Sequence, residues 1–487
     1  MKEIHFNQER KKKEGQVYTP TKMVNRMLDW SGYFGQPILN KHIIDNSCGE
    51  GAFLVQAVKR YLAAAIEKDL NKSTIRRHLA KYIHGIEKDA MAYQQCIENL
   101  NQVILPYDLY PIHWDVRHAD ALTTNDYDGQ MDYVIGNPPY VRIQNCNRLD
   151  NSFQNYTFIT GGSFDLYLAF FELGFRMLSP KGKLCYITPV SWIYSKAGSI
   201  LRNYILKEKS LVELIDLQHF QVFEHITTYT VISRFSREQT KDSFSYCQFN
   251  PDSYDKIAIS QLSLQDVSIN DRFYFGTHEE LETMRLIRTS SYPNHVRVKN
   301  GFATLHDSLF FNNNIPLSTY TIPTLKVSKG QWYKGFFPYD RNGQPVKEEE
   351  LKTCTQLYDY LQSIKQQLEK RNLRMKEWWL YGRSQAIGDV YKKRIAINSL
   401  IRDEKDLLIH AIQPGEGVYN GFYVLYDEEI TAEDIISMIR TAEFSTYIRL
   451  LKIYKSSGYY EFRAKDIEQY INYSYSMKKS VPMVTNK

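Results

Sequence analysis

Asn137-Pro138-Pro139-Tyr140 directly follows the apolar run Tyr133-Val134-Ile135-Gly136. A rigid polar tetrapeptide that ends a buried strand can grip a planar amino group. The lone pair of an exocyclic amine such as that of adenine is conjugated into the ring, so the nitrogen is a poor nucleophile toward a sulfonium methyl group. The Asn137 side-chain oxygen and the Pro138 carbonyl could accept hydrogen bonds from the two amino hydrogens and draw the nitrogen toward tetrahedral geometry as the methyl arrives. Proline has no N–H to compete for those acceptors, and two in succession hold the backbone out of the helical region. Tyr140 adds an aromatic face for the base. No strong general base is required, because a newly methylated amine loses its proton to water. By themselves the four residues also suit a plain turn.

A second motif gives the tetrapeptide a context. Asp45-Asn46-Ser47-Cys48-Gly49-Glu50-Gly51-Ala52-Phe53 follows the apolar pair Ile43-Ile44 and precedes a helical stretch from Ala52 to Leu70. Strand, glycine turn and helix in succession let a backbone approach a ligand closely, with the helix N-terminus facing it. A glycine pair alone fits any tight turn between strand and helix. His84-Gly85-Ile86-Glu87 reads as a second strand ending in an acid, where a carboxylate could accept both hydroxyls of a ribose. Trp114 to Asp120 reads as a third, and Asp120 could hydrogen-bond an adenine amino group. Each acid singly is also a common solvated strand end; their order along one chain carries the argument.

These motifs resemble those of the TaqI-like, gamma-ordered N6-adenine DNA methyltransferases, over most of the chain. Gly15-Gln16-Val17-Tyr18-Thr19-Pro20 is similar to the N-terminal motif that closes over S-adenosylmethionine in that family. The resemblance implies that Tyr18, Thr19, Pro20, Asp45, Ser47, Cys48, Gly49, Gly51, Phe53, Glu87, Asp120 and Asn137 line the cofactor. It also implies that Asn137, Pro138 and Tyr140 are catalytic, and that a flipped adenine lies against Asn137, Tyr140 and Phe223. Phe223 sits in Gln221-Val222-Phe223-Glu224, with Phe220 and Tyr229 as neighbouring alternatives. Asn46 departs from the family, which often has proline there. Base extrusion costs a few kcal/mol and each aromatic stack returns about 1–3 kcal/mol, so two aromatic faces suit the task better than one.

The elements that must position these residues read as an α/β fold. Helices and strands alternate, predicting a Rossmann-like, mostly parallel sheet with helices on both faces. Leu166, Phe170, Leu173 and Met177 recur at helical spacing, opened by Asp165 and closed by Pro180-Lys181-Gly182-Lys183. Leu184 to Thr188 and Leu211 to Leu217 read as strands, and Ile226 to Phe235 as the strand of a terminal hairpin. The expected organisation is a catalytic domain over 1–240, a transition over 241–275 and a mixed α+β target-recognition domain over 276–487. In the latter, Leu357, Leu361, Ile364 and Leu368 share a helix face, with Lys365, Lys370 and Arg371 on or near its polar side. The spacing Gly301, Thr304, Asp307, Phe310, the run Phe336-Phe337-Pro338-Tyr339-Asp340, and Trp379 with Gly382-Arg383-Ser384-Gln385 resemble the family's recognition domain. Arg383 and Gln385 are candidate DNA contacts, with structural roles open to both.

With 487 residues, 43% of them hydrophobic, the chain holds several domains' worth of core. No apolar stretch approaches a membrane span, and the polar start is unlike a signal peptide. Six cysteines without a CxxC pair indicate neither a disulfide framework nor structural zinc, so no metal is expected and a reducing cytoplasm fits. The net charge of +6 has the sign expected of a chain that neutralises phosphates, and Arg10 to Lys13 could form a basic arm. The expectation is a monomer that methylates double-stranded DNA within a restriction-modification system, with any restriction endonuclease a separate protein. Competing readings are a ribosomal RNA or protein-glutamine methyltransferase and a non-catalytic DNA-recognition subunit.

Overall fold

The computed structural model describes residues 18–142, 155–159, 164–223, 227–238, 241–371 and 377–480. Gly15 to Val17, the run Arg10 to Lys13, Glu224 and Ile226 lie outside them. The chain forms two compact units, with the boundary between Glu282 and Thr283.

The first unit is built on a nine-stranded sheet. Its strands are β1 (Ile43–Asp45), β2 (Ile83–Glu87), β3 (Asp115–His118), β4 (Met131–Gly136), β5 (Leu178–Pro189), β6 (Leu211–Asp216), β7 (Thr230–Ser236), β8 (Ser243–Asn250) and β9 (Asp255–Ser263). They lie in the order β3-β2-β1-β4-β5-β7-β6-β8-β9. From β3 to β5 every pairing is parallel. β1 and β2 are buried along their whole length, as strands covered on both faces must be. The strand order reverses between β1 and β4, so a crevice opens beyond their C-terminal ends. In open α/β sheets that is where ligands bind.

Two expectations about this sheet need correction. β7 does pair antiparallel with the preceding strand β6, as a hairpin requires, but it inserts between β5 and β6, and the hairpin is not terminal. The sheet also does not stop near residue 240. β8 pairs in parallel with β6, and β9 pairs with β8. The stretch over 243–263 of the expected transition therefore extends the sheet. It reads as polar because Phe244, Tyr246 and Phe249 are buried while Ser243, Ser245 and Gln248 are not, and half-exposed alternation dilutes the apolar signal.

The second unit contains a four-stranded antiparallel sheet of Val296–Asn300, Phe422–Tyr426, Arg394–Ile397 and Ile409–Ile412, in that spatial order. A smaller sheet joins Gln331–Phe336, Thr321–Lys326 and Gly417–Tyr419. Leu357, Leu361, Ile364 and Leu368 of the helix Thr355–Glu369 are buried, as their spacing requires. Arg371, expected near the polar side, is buried instead. Its guanidinium donates to the carbonyls of Leu368 (3.0 Å), Thr304 (2.6 Å), Leu380 (3.1 Å) and Trp378 (2.5 Å). Desolvation pushes its pKa down to about 10. A cation with four of its five donors on carbonyls can be buried, and hydrophobic periodicity cannot foresee that pairing.

Candidate active site

The crevice beyond β1 and β4 is assembled from tight backbone contacts. Asp45 ends β1 and is 2% exposed. Its Oδ1 accepts the Ser47 N–H at 3.1 Å and lies against Gly136, the last residue of β4. A Cβ at position 136 would fall 2.6 Å from that oxygen, so only glycine allows the two strand ends to meet. The Ser47 hydroxyl then donates to the Asn137 carbonyl at 3.3 Å. The loop after β1 is thereby tied to the tetrapeptide after β4.

The glycine turn is shaped by Glu87. One carboxylate oxygen accepts the Gly49 N–H at 2.8 Å and the other the Asp89 N–H at 2.8 Å. Gly49 and Gly51 have φ of +53° and +88°, a region most side chains avoid. A Cβ at Gly49 would meet nothing within 4 Å, leaving an open cradle, whereas one at Gly51 would strike the Cys96 sulfur. Cys48 and Phe53 are buried in the adjoining core. Burial pushes the Asp45 carboxyl up to about 8, and the neighbouring Glu87 adds to the shift. Burial also raises Glu87, partly offset by the N–H groups of Asp89 and Gly49. Two buried carboxyls beside an open glycine cradle suit a cationic ligand that also carries hydroxyls.

Asp120 stands beyond the end of β3. Its Oδ1 accepts the Leu122 N–H at 3.0 Å and its Oδ2 meets the Lys88 ammonium at 2.6 Å. Tyr18 is exposed and hydrogen-bonds Glu50 of the glycine turn through its hydroxyl. Thr19 is buried, and the Pro20 carbonyl accepts from Met23 and Val24 at the start of the helix Thr21–Ser31.

On the other side of the tetrapeptide, the Tyr140 hydroxyl donates to the Ile187 carbonyl of β5 at 3.1 Å. The Phe223 ring meets Tyr140 edge-on, with centroids 5.9 Å apart and planes at 70°. Phe220 packs on Phe249 and Tyr254 instead. Tyr229 lies edge-on to His219. Two contributions escaped the sequence reading. Asn46, buried, donates from Nδ2 to the Tyr186 hydroxyl at 2.7 Å, fixing the turn by a side chain rather than by proline. Tyr167 packs edge-on against Tyr140 and pairs with the Ser191 hydroxyl at 3.0 Å. A tyrosine inside a strand and a helical one carry no local mark of such roles.

The recognition-like motifs of the second unit are largely core. Phe336, Phe337, Tyr339, Trp379 and Tyr381 are buried together. The Gln385 amide donates to the Gly301 carbonyl at 2.6 Å, which favours its structural reading, while Arg383 is exposed. Among the described residues no group of three or more His, Cys, Asp or Glu is arranged to hold a metal. Among them, too, no helix is long and apolar enough to cross a membrane.

The chain is 26% identical to the Type II restriction enzyme and methyltransferase RM.Eco57I of Escherichia coli, over 76% of this chain and 47% of that protein. It is 31% identical to the Type II methyltransferase M.BstVI of Geobacillus stearothermophilus, over 45% and 41% respectively. The chain thus spans about half the length of the curated relatives it matches. Among solved structures, the Type IIL restriction-modification enzyme MmeI, in complex with DNA, shares the fold with a TM-score of 0.61 at 12% identity, over 91% of this chain and 63% of that one. The model of the Eco57I restriction-modification methylase family matches residues 53–223, from the helix after the glycine turn to Phe223. Over that segment the chain is similar to the Eco57I restriction-modification methylases.

Proposed function

We propose that the chain is a site-specific DNA methyltransferase that modifies N6 of adenine, the modification component of a restriction-modification system. The observation that carries this reading is the linkage at the β1/β4 switch point. The turn that would hold the methyl donor is bonded, through Ser47, to the tetrapeptide that would hold the amine. S-adenosylmethionine supplies an electrophilic methyl group, and the donor set fits it: Asp45 and Glu87 for positive charge and ribose hydroxyls, Asp120 for the adenine amine, and Gly49 for close backbone approach. Tyr18, Thr19 and Pro20 would close that side. Asn137 and Pro138 would accept the two amino hydrogens of the target, raising electron density on the nitrogen as it is methylated. Holding both partners in line converts an encounter between two molecules into a single bound event.

The second unit would read the DNA sequence, and Tyr140 and Phe223 would stack on the extruded base. Long-read sequencing of DNA from cells expressing this chain, with mass spectrometry of the nucleosides, tests the reading. N6-methyladenine within one sequence motif is expected. N4-methylcytosine would move the target to the other exocyclic amine, and an absence of modified bases would overturn the proposal.

A further inference from the structure

We infer that Leu305 and Arg383 form a base-reading pair on the second unit, an apolar group and a guanidinium presented together to duplex DNA. The inference rests on the reading that this chain acts on DNA. Leu305 has φ of +66°, a region that penalises a side chain with a Cβ. Asn and Asp, which tolerate it best, hold six of the thirteen described non-glycine positions with positive φ, and a large aliphatic side chain holds one. That side chain is also 48% exposed. A core role would bury it, and a turn role would be filled better by glycine or asparagine.

The flanking residues hold Leu305 in this position. Thr304 is fully buried; its hydroxyl donates to Asp307 at 2.6 Å and accepts the His306 N–H at 3.0 Å. Its carbonyl accepts from the buried Arg371 guanidinium. The leucine side chain lies over Gly382, where a Cβ would stand 2.3 Å from its Cγ. Ala303 forms an antiparallel bridge with Arg383, whose N–H donates to the Ala303 carbonyl at 3.1 Å. Arg383 and Ser384 are both exposed beside it. The loop thus sets an exposed apolar side chain over Gly382, the residue that precedes an exposed arginine. In a DNA groove a guanidinium recognises the O6 and N7 acceptors of guanine, and an apolar tip recognises the thymine methyl. The pair therefore suits a duplex edge that offers both.

The test is selection of bound sequences from a random duplex library by the purified full chain and by Leu305→Gly, Leu305→Asn and Arg383→Ala. Glycine and asparagine accept the backbone angle, so both Leu305 variants are expected to melt at or above the wild-type temperature. The wild-type chain should enrich one motif. The Leu305 variants should lose preference at one position of it by roughly tenfold, and Arg383→Ala at another. An unchanged motif in the folded variants, or no motif for the wild-type chain, would overturn the inference. Failure of the methylation reading would appear separately, as sequence-selective binding without modified bases in cellular DNA.

Discussion

Tyr140 and Phe223 touch edge to face, 5.9 Å apart at 70°, and Tyr140 is tethered through its hydroxyl to the Ile187 carbonyl. A base held between two ring faces needs two van der Waals spacings of about 3.5 Å each, with the rings parallel. The two rings are not parallel, so a base stacked between them, as proposed, requires one ring to turn.

Phe223→Ala should lower methyl transfer about tenfold to a hundredfold, the loss of one base stack. Fluorescence of a base analogue at the target position should show reduced extrusion. Unchanged extrusion in a folded variant would reassign the stacking role to a neighbouring aromatic.

On the proposed mechanism, Asn137→Ala removes an acceptor that matters most as the amine becomes tetrahedral. Transfer from labelled S-adenosylmethionine should fall by about a hundredfold or more. Equilibrium dialysis should show donor affinity little changed, because the glycine turn and Glu87 remain. Wild-type activity in this variant would refute the assigned role.

The Asp45 carboxyl has a folded pKa of about 8 against an ordinary value of 3.8. Between those values the folded chain keeps a proton that the unfolded chain releases. This group therefore lowers stability as pH rises, by about 1.4 kcal/mol per pH unit, until the folded form also ionises near pH 8. Below 3.8 it contributes no difference. Asp45→Asn should flatten the decline, so melting curves of variant and wild type should diverge from pH 5 to pH 8, with the variant more stable. Parallel curves would show that the carboxyl is not buried as described.

A Cβ at position 136 would press on Asp45 Oδ1 at 2.6 Å, an atom of a side chain that is itself buried. Gly136→Ala should lower both donor affinity and melting temperature, the destabilisation being about 1–3 kcal/mol. Calorimetric titration with S-adenosylmethionine checks it, and unaltered affinity would contradict the contact.

Arg371→Met should unfold the second unit at lower denaturant, since it orphans carbonyls that the guanidinium now satisfies; a loss of about 2–4 kcal/mol is expected. Arg371→Lys should not restore it, because an ammonium cannot span the same four acceptors. Full rescue by lysine would indicate that charge alone matters.

Much of the candidate site was legible because its parts are short and contiguous. A strand that ends in glycine turns, an acid at a strand end and an Asn-Pro-Pro-Tyr stop each depend on backbone rules acting over a few residues. Asp45, Gly49, Gly51, Glu87 and the tetrapeptide were found that way, and so was the α/β class. Tertiary structure decided what depends on pairing distant segments. β7 lies between β5 and β6, and β8 claims the far edge of β6, because ladders are chosen by which faces can be buried together. Phe249 and Tyr254 occupy Phe220, which leaves Phe223 for Tyr140. Arg371 and Gln385 look like solvated or DNA-facing groups until the carbonyls that meet them are brought in from elsewhere in the chain. Whether a polar group turns inward depends on partners that local sequence does not specify.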